Sequence, residues 1–405
     1  MRRVVATGLG VVSPLGSSSG AFFDALLAQQ SAIRLHDLGW GTRLAARVES
    51  DVESPFPKLK RIGLDRVTLM ALLAVRQAAD QAGGAFVDSE TTGLFWGTGM
   101  GGASTLENSY RDIFQKGATR LRPTTVVAGM NNAASGHIGI DFGVLGPSFT
   151  YSSACSSSAV AIGEAMRAIR GGWIDRAIVG GSEALLTEGV MMAWDALQTI
   201  AHTDTDHPET SCRPFAADRT GFVLGEGAAA LILEDEERAR VRGARCLAHL
   251  AGYGNTTDAR HITQPDPGGQ ARVMVHALAD AGLSPERIQH VNAHGTGTRI
   301  GDVNETIALH QVFGAHAPGL AVSATKALHG HLMGATGALE VIATIEALLR
   351  GEVPPTAHLG KPDPLCDLDY VSEGRRRIEN LDVAMSNSFG FGGNNVSLVL
   401  RRCHP

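Results

Sequence analysis

Short runs of β-branched and apolar residues alternate with longer stretches of 3.6-residue periodicity along most of the chain, the pattern of an α/β protein. Over 65–83, Leu69, Leu72, Leu73 and Ala79 recur at helical spacing, and Gly83-Gly84 follows as a stop. Strands are predicted over 92–96, 148–152, 176–179 and 228–234, with a small-residue helix over 156–170 closed by Gly171-Gly172. The second half replays this order. It reads as strand 247–253, helix 269–282, strand 288–292, helix 304–313, strand 320–323, helix 337–350 and paired strands over 384–388 and 395–401. Two glycine-rich strand exits, Trp96-Gly97-Thr98-Gly99 and Ala293-His294-Gly295-Thr296-Gly297, stand at comparable places. The pattern predicts a duplicated βαβ-rich unit, with halves 1–243 and 244–405 joined near Arg242-Gly243 and no low-complexity linker between them.

Composition narrows the function. The chain has 49 glycines in 405 residues, about 12% against roughly 7% in average proteins, and such an excess marks tight turns and close backbone approaches. Asp plus Glu total 41 against 35 Lys plus Arg, a net charge of −6, which disfavours a nucleic-acid binder. No apolar run reaches the roughly 18 residues of a membrane-spanning helix. The opening stretch 1–12 has a basic pair, but Gly8 and Gly10 interrupt its apolar run before Ser13-Pro14-Leu15-Gly16, so a buried first strand is expected rather than a signal peptide. Five cysteines (Cys155, Cys212, Cys246, Cys366, Cys403) are scattered, odd in number and without a CxxC pair. That spacing predicts reduced thiols in a cytoplasmic protein and no zinc site.

Four segments carry candidate chemistry. Cys155, in Tyr151-Ser152-Ser153-Ala154-Cys155-Ser156-Ser157-Ser158, stands where a strand enters a helix, so its sulfur is expected over a helix N-terminus that lowers the thiol pKa. A buried structural cysteine is the competing reading. His294 directly follows a buried strand, in Asn292-Ala293-His294-Gly295-Thr296-Gly297-Thr298, and is placed to donate into a cleft. His329 and His331 lie in Lys326-Ala327-Leu328-His329-Gly330-His331-Leu332-Met333-Gly334-Ala335; as a metal pair they lack a third ligand of matching spacing. Asn387-Ser388-Phe389-Gly390-Phe391-Gly392-Gly393-Asn394-Asn395 can aim backbone N–H groups at a bound oxygen, or form a plain β-turn.

Together these segments resemble the β-ketoacyl-[acyl carrier protein] synthases, most closely the KAS II type. The resemblance runs from Val4-Val5-Ala6-Thr7-Gly8-Leu9-Gly10 to the last strand and includes Arg213-Pro214-Phe215, Asp218-Arg219 and Gly221-Phe222-Val223-Leu224-Gly225-Glu226-Gly227. It implies the thiolase fold, two similar halves in a five-layered αβαβα body, as a homodimer or paired with a chain-length factor. Carried over, Cys155 matches the nucleophile, His294 and His331 the two histidines, Lys326 the site lysine and Glu340 a buried carboxylate beside it. Phe391 matches the gating phenylalanine, with Gly390 and Gly392 in its loop; Thr296 and Thr298 match the threonines on the phosphopantetheine arm, and Leu106 a residue lining the acyl pocket. His329 falls outside the motif. The implied substrates ride on an acyl carrier protein, and no metal or redox cofactor is implied.

The chain departs from the pattern in places. Asn394 stands where KAS II enzymes usually have threonine. Ile62, Gly63 and Asp204 replace residues that are often basic, with Lys58, Lys60, Arg61 and Arg120 available as a shifted patch, which suggests a dedicated carrier protein. Leu64-Asp65-Arg66-Val67 looks more like ketosynthases of aromatic polyketide or aryl polyene pathways. Two alternatives stand beside this reading. A thiolase acting on acyl-CoA needs a second cysteine in the C-terminal glycine loop, and a silent chain-length factor lacks the nucleophile.

Overall fold

The computed structural model describes residues 2–84 and 89–404, so Met1 of the opening stretch lies outside it. Ten strands form one hydrogen-bonded sheet. In chain order they are β1 (Val4–Val12), β2 (Thr92–Gly97), β3 (Ser148–Tyr151), β4 (Arg176–Glu183) and β5 (Gly227–Asp235), then β6 (Ala248–Thr257), β7 (His290–Asn292), β8 (Ala321–Ser323), β9 (Val383–Gly390) and β10 (Asn394–Arg402). Across the sheet the order is β8-β7-β9-β10-β6-β1-β5-β4-β2-β3. Each half therefore places its first strand beside its last, antiparallel, followed by an antiparallel and then two parallel neighbours. The halves meet where β1 runs antiparallel to β6, from Val4 opposite Leu250 to Ala6 opposite Ala248.

Five helices make the layers: α1 (Arg66–Gln81), α2 (Ser157–Arg170), α3 (Pro267–Ala281), α4 (Arg299–Phe313) and α5 (Thr336–Arg350). Helices α2 and α5 pack against each other and touch strands of both halves, which makes them the central layer. Helix α1 covers the outer face of the first half, and α3, backed by α4, covers that of the second. The result is the αβαβα body expected from the resemblance, with one apolar cluster around α2 and α5 and one under each outer helix layer.

The glycines that break the opening apolar run have a packing cause. A Cβ on Gly8 or Gly10 would stand 2.0 or 1.8 Å from the carbonyl oxygens of Ala78 and Ala74, so β1 lies directly against α1. The same Gly-x-Gly device recurs in the second half, where Gly252 and Gly254 of β6 approach Ala277 and Val273 of α3. The predicted elements all form, with ends shifted by a few residues; helix 65–83 becomes α1, with the Asp65 side chain capping it by accepting from the Val67 N–H. Sequence periodicity missed the helices Ala103–Lys116 and Ala133–Phe142. In the first of these Leu106, Tyr110, Ile113 and Phe114 do recur at helical spacing, but only Ala103 and Ser109 are buried, and Tyr110 and Phe114 are exposed.

The cysteines correct one expectation. Cys246, just before β6, is disulfide-bonded to Cys403, just after β10, across a sequence separation of 157. Cys155, Cys212 and Cys366 are free and buried. Antiparallel pairing of β6 with β10 brings Arg402 opposite Ala248, which carries the two flanking cysteines together although no local spacing announces it.

Candidate active site

Cys155 occupies the turn between β3 and α2. Ala154 holds a left-handed backbone at φ +52°, an uncommon choice for a residue with a Cβ that costs of order 1–3 kcal/mol and re-aims the next side chain. The Ser153 N–H donates to the Ser157 hydroxyl at 2.9 Å and fastens the turn to the first residue of the helix. The Cys155 sulfur and a ring nitrogen each of His294 and His331 lie within 4.8 Å of one another. The two imidazoles meet edge to face, centroids 5.6 Å apart and planes at 81°.

The net shift of the Cys155 thiol is upward, opposite to the lowering that the local sequence suggests. Burial pushes Cys155 up to about 12, against the opposing pull of Lys326 and of the Phe391 backbone N–H. The unacylated residue is therefore a neutral thiol. Burial, reinforced by the Lys326 charge, holds both His294 and His331 well below 6.5, so both imidazoles are neutral at pH 7. The His331 Nδ1 lies 2.9 Å from the Thr336 hydroxyl, while its Nε2 and the His294 Nδ1 are buried without a partner among the described residues. A Thr336 hydroxyl that donates to Nδ1 leaves the ring proton on Nε2.

Lys326 is wholly buried. Its ammonium donates to the Glu340 carboxylate at 2.7 Å and to the His294 carbonyl oxygen. Burial raises Glu340 to about 7, with Lys326 opposing the rise. The lysine thus ties helix α5 to the turn that carries His294.

Three acids that sequence reasoning missed brace the turns. The Glu305 carboxylate accepts from the backbone N–H groups of His294 and Gly295, both at 2.8 Å. Asp302 accepts from Gly297 at 3.1 Å and Phe215 at 2.7 Å and faces Arg219. Glu183, at the end of β4, accepts from Gly99 at 2.6 Å, Met100 at 3.1 Å and Gly334 at 3.0 Å. Each carboxylate gathers N–H groups that a tight glycine turn leaves without a ladder partner. A glycine-rich turn followed by an acid at the start of a helix was the available signal for Asp302 and Glu305.

A cavity of about 780 Å³ opens onto this centre, lined by Cys155, His294, His331, Thr296, Thr298 and Phe391. The Thr296 and Thr298 hydroxyls lie 3.0 Å apart along its wall. Trp194, also missed by the sequence reading, lines the cavity and stacks on Phe391. Gly390 lies so close to the nucleophile turn that a Cβ there would stand 2.8 Å from the Ser153 carbonyl oxygen.

Leu106, Gly392 and His329 are not among the described residues that line this cavity. The Leu106 side chain packs on Gly129, where an added Cβ would meet it at 2.7 Å. The Gly392 N–H donates to the Ile262 carbonyl at 2.7 Å and is not free to meet a ligand. His329 turns away from the cavity, its Nε2 2.9 Å from the Thr325 hydroxyl and its ring against Phe22, so no His329–His331 metal pair forms.

Comparison with known proteins agrees with this architecture. Residues 1–239 match the β-ketoacyl synthase N-terminal domain family and residues 247–360 the C-terminal domain family. The chain is 41% identical over 409 residues to nodulation protein E of Rhizobium leguminosarum bv. trifolii, covering 99% of each chain. It is 38% identical over 410 residues to a 3-oxoacyl-[acyl-carrier-protein] synthase 2 of Synechocystis, covering 99% of this chain and 98% of the relative. A solved type II polyketide synthase assembly, an acyl-carrier protein in complex with its ketosynthase bound to a hexaketide, superposes with a TM-score of 0.90 at 28% identity over the full length of both chains. No helix among the described residues is long and apolar enough to cross a membrane. With both family domains matched in order over most of its length, the chain belongs to the β-ketoacyl synthase family.

Proposed function

We propose that the protein is a β-ketoacyl-[acyl carrier protein] synthase that joins a cysteine-bound acyl group to a malonyl unit with loss of carbon dioxide. The observation that carries this reading is the convergence of the Cys155 sulfur with two neutral imidazoles at the foot of one cavity. In the first half-reaction Cys155 attacks the acyl thioester; the thioester bond to the carrier breaks, and the thiol proton leaves on the pantetheine sulfur. Thioester is exchanged for thioester, so the step as a whole carries one proton from the Cys155 sulfur to the pantetheine sulfur and leaves no net charge behind. The backbone N–H groups of Cys155 and Phe391 receive the negative oxygen of the tetrahedral intermediate, a type of contact worth about 2.7–4 kcal/mol per donor.

In the second half-reaction the malonyl thioester loses carbon dioxide, and the imidazole N–H groups of His294 and His331 meet the charge that develops on its carbonyl oxygen. The enolate carbon attacks the acyl carbonyl, the carbon–sulfur bond to Cys155 breaks, and the released thiolate takes up one proton. Lys326, Glu340, Glu305 and Thr336 position the two imidazoles. Thr296 and Thr298 lie along the wall where the pantetheine arm enters. The chemistry moves no electrons to an acceptor and calls on no metal or redox cofactor.

The carrier is an acyl carrier protein, as in the name of the cyanobacterial relative. Lys58 and Arg120 are exposed on the face proposed to receive it, while Lys60 pairs with Asp141 and Arg61 lies 3.8 Å from Glu53. That thinned basic patch supports a dedicated carrier; equal binding of a housekeeping and a pathway carrier, measured side by side, contradicts it. A second subunit is supported by the open edge of β3 and the exposed Val126, Ile140 and Phe149. A thiolase needs a second cysteine at the centre, and Cys155 is the one cysteine among the cavity's described lining residues. Incubation with acyl- and malonyl-carrier protein tests the reading: a β-ketoacyl product and carbon dioxide in equal amounts support it, and hydrolysis or decarboxylation without a new carbon–carbon bond contradicts it.

A further inference from the structure

Cys246, just before β6, and His249, near the start of that strand, meet Cys403, just after β10. Their ligand atoms, two sulfurs and one ring nitrogen, all lie within 4.8 Å of one another. The three side chains are half-buried, open to solvent on one side and backed by the paired strands on the other. Around them the charges are already balanced. Arg3 pairs with Glu236, which lies 3.7 Å from the His249 Nε2, and His404 is held by Asp382 at 2.8 Å. Nothing in the proposed condensation uses this cluster.

We propose that, when the Cys246–Cys403 disulfide is opened, Cys246, Cys403 and His249 form a binding site for a zinc-class divalent metal ion. The argument rests on chemistry and reach. Zinc binds thiolate sulfur at about 2.3 Å and imidazole nitrogen at about 2.0–2.1 Å, which sets ligand atoms of a tetrahedron a little under 4 Å apart. The Cα atoms of Cys246 and Cys403 stand 6.0 Å apart, so rotation about the side-chain bonds separates the two sulfurs without moving the strands. Pairing of the two strands runs to Ala248 opposite Arg402 and places His249 opposite Arg401, so the strand ends carry the three ligands to one spot, and their half-exposed side leaves the fourth position to water. Opening the disulfide takes two electrons and two protons from a dithiol reductant, which closes to its own cyclic disulfide; metal binding then releases the two thiol protons. In either state the end of β10 is clamped to the start of β6.

The catalytic trio presents a similar set of donor atoms, so the test is made on full-length Cys155→Ala protein. The protein is reduced with a dithiol, desalted, loaded with Zn²⁺ or Co²⁺ and separated from free metal. One equivalent of retained metal is expected, with a thiolate-to-cobalt charge-transfer band for Co²⁺. Both signals are expected to be lost when Cys403→Ser is added and weakened when His249→Ala is added, while addition of Cys212→Ser leaves them unchanged. Each double variant is checked for a native circular-dichroism spectrum and melting transition. No retained metal in the reduced Cys155→Ala protein overturns the proposal. So does metal that survives Cys403→Ser, or a reductant that frees no thiols at 246 and 403. None of these results depends on condensing activity.

Discussion

The Trp194 ring stacks on Phe391, with centroids 5.9 Å apart and planes at 24°, and Phe222 meets the edges of both Trp194 and His331. The residue whose N–H reaches Cys155 is thus held by an aromatic chain that ends on a site histidine. Asn394 adds a second hold, donating from its side-chain amide to the Phe391 carbonyl at 3.2 Å. An aromatic pair is worth about 0.5–1.5 kcal/mol beyond area burial. Trp194→Ala is therefore expected to lower kcat/KM for Cys155 acylation roughly two- to tenfold, with Trp194→Phe close to wild type. Unchanged acylation in the alanine variant would show that the stack does not position the loop.

Gly390 has no room for a side chain between the glycine loop and the nucleophile turn. Gly390→Ala must move Phe391, Cys155 or both, and a misplacement of about 1 Å can cost on the order of a hundredfold in rate. Acyl transfer to the variant, timed by rapid quench, should fall by that order with a native circular-dichroism spectrum. A rate within twofold of wild type argues that the loop is pliant.

His294 and His331 should separate the two half-reactions. Removing either donor is expected to slow malonyl decarboxylation by about 10²–10³-fold while an acyl adduct on Cys155 still forms. Because both pKa values lie well below 6.5, the imidazoles lose their neutral form only in acid, and decarboxylation should show no histidine inflection between about pH 6.5 and 8. An inflection near the ordinary histidine value, abolished by His294→Asn, would contradict neutral donors.

Glu183 links stability to pH. Burial raises its folded-state pKa to about 7 from an ordinary 4.5, although three backbone N–H groups oppose the rise. The folded protein then holds more protons than the unfolded chain between those values, so this group's contribution to stability falls as pH rises from about 4.5 to 7 and levels off above. In Glu183→Gln that slope should disappear, together with about 1–3 kcal/mol where amide donors face the N–H groups of Gly99, Met100 and Gly334. Urea unfolding of both proteins across this pH range checks it; parallel stability curves would place the coupling elsewhere.

Cys155, His294, Lys326 and His331 were legible because the small residues and glycines that shape each turn lie within a few positions of them. Glu183, Glu305 and Trp194 were not, since an isolated acid or tryptophan reveals its partner only after strands and helices from distant segments are stacked. The raised thiol pKa of Cys155 is likewise a property of three-dimensional burial, which outweighs the helix end that the local sequence does show. The Cys246–Cys403 bridge depends on register between β6 and β10. Leu106 was placed by the resemblance alone, on an acyl pocket near a subunit interface, and within this chain its side chain packs beside Gly129.

The most direct test of Cys155 as the nucleophile is intact-protein mass after incubation with acyl carrier proteins of graded chain length, wild type beside Cys155→Ala. We expect one acyl adduct on wild type, none on the variant, and release of the adduct by malonyl carrier protein. An adduct that persists on Cys155→Ala, or folded wild-type protein that accepts no acyl group from any carrier, would contradict it.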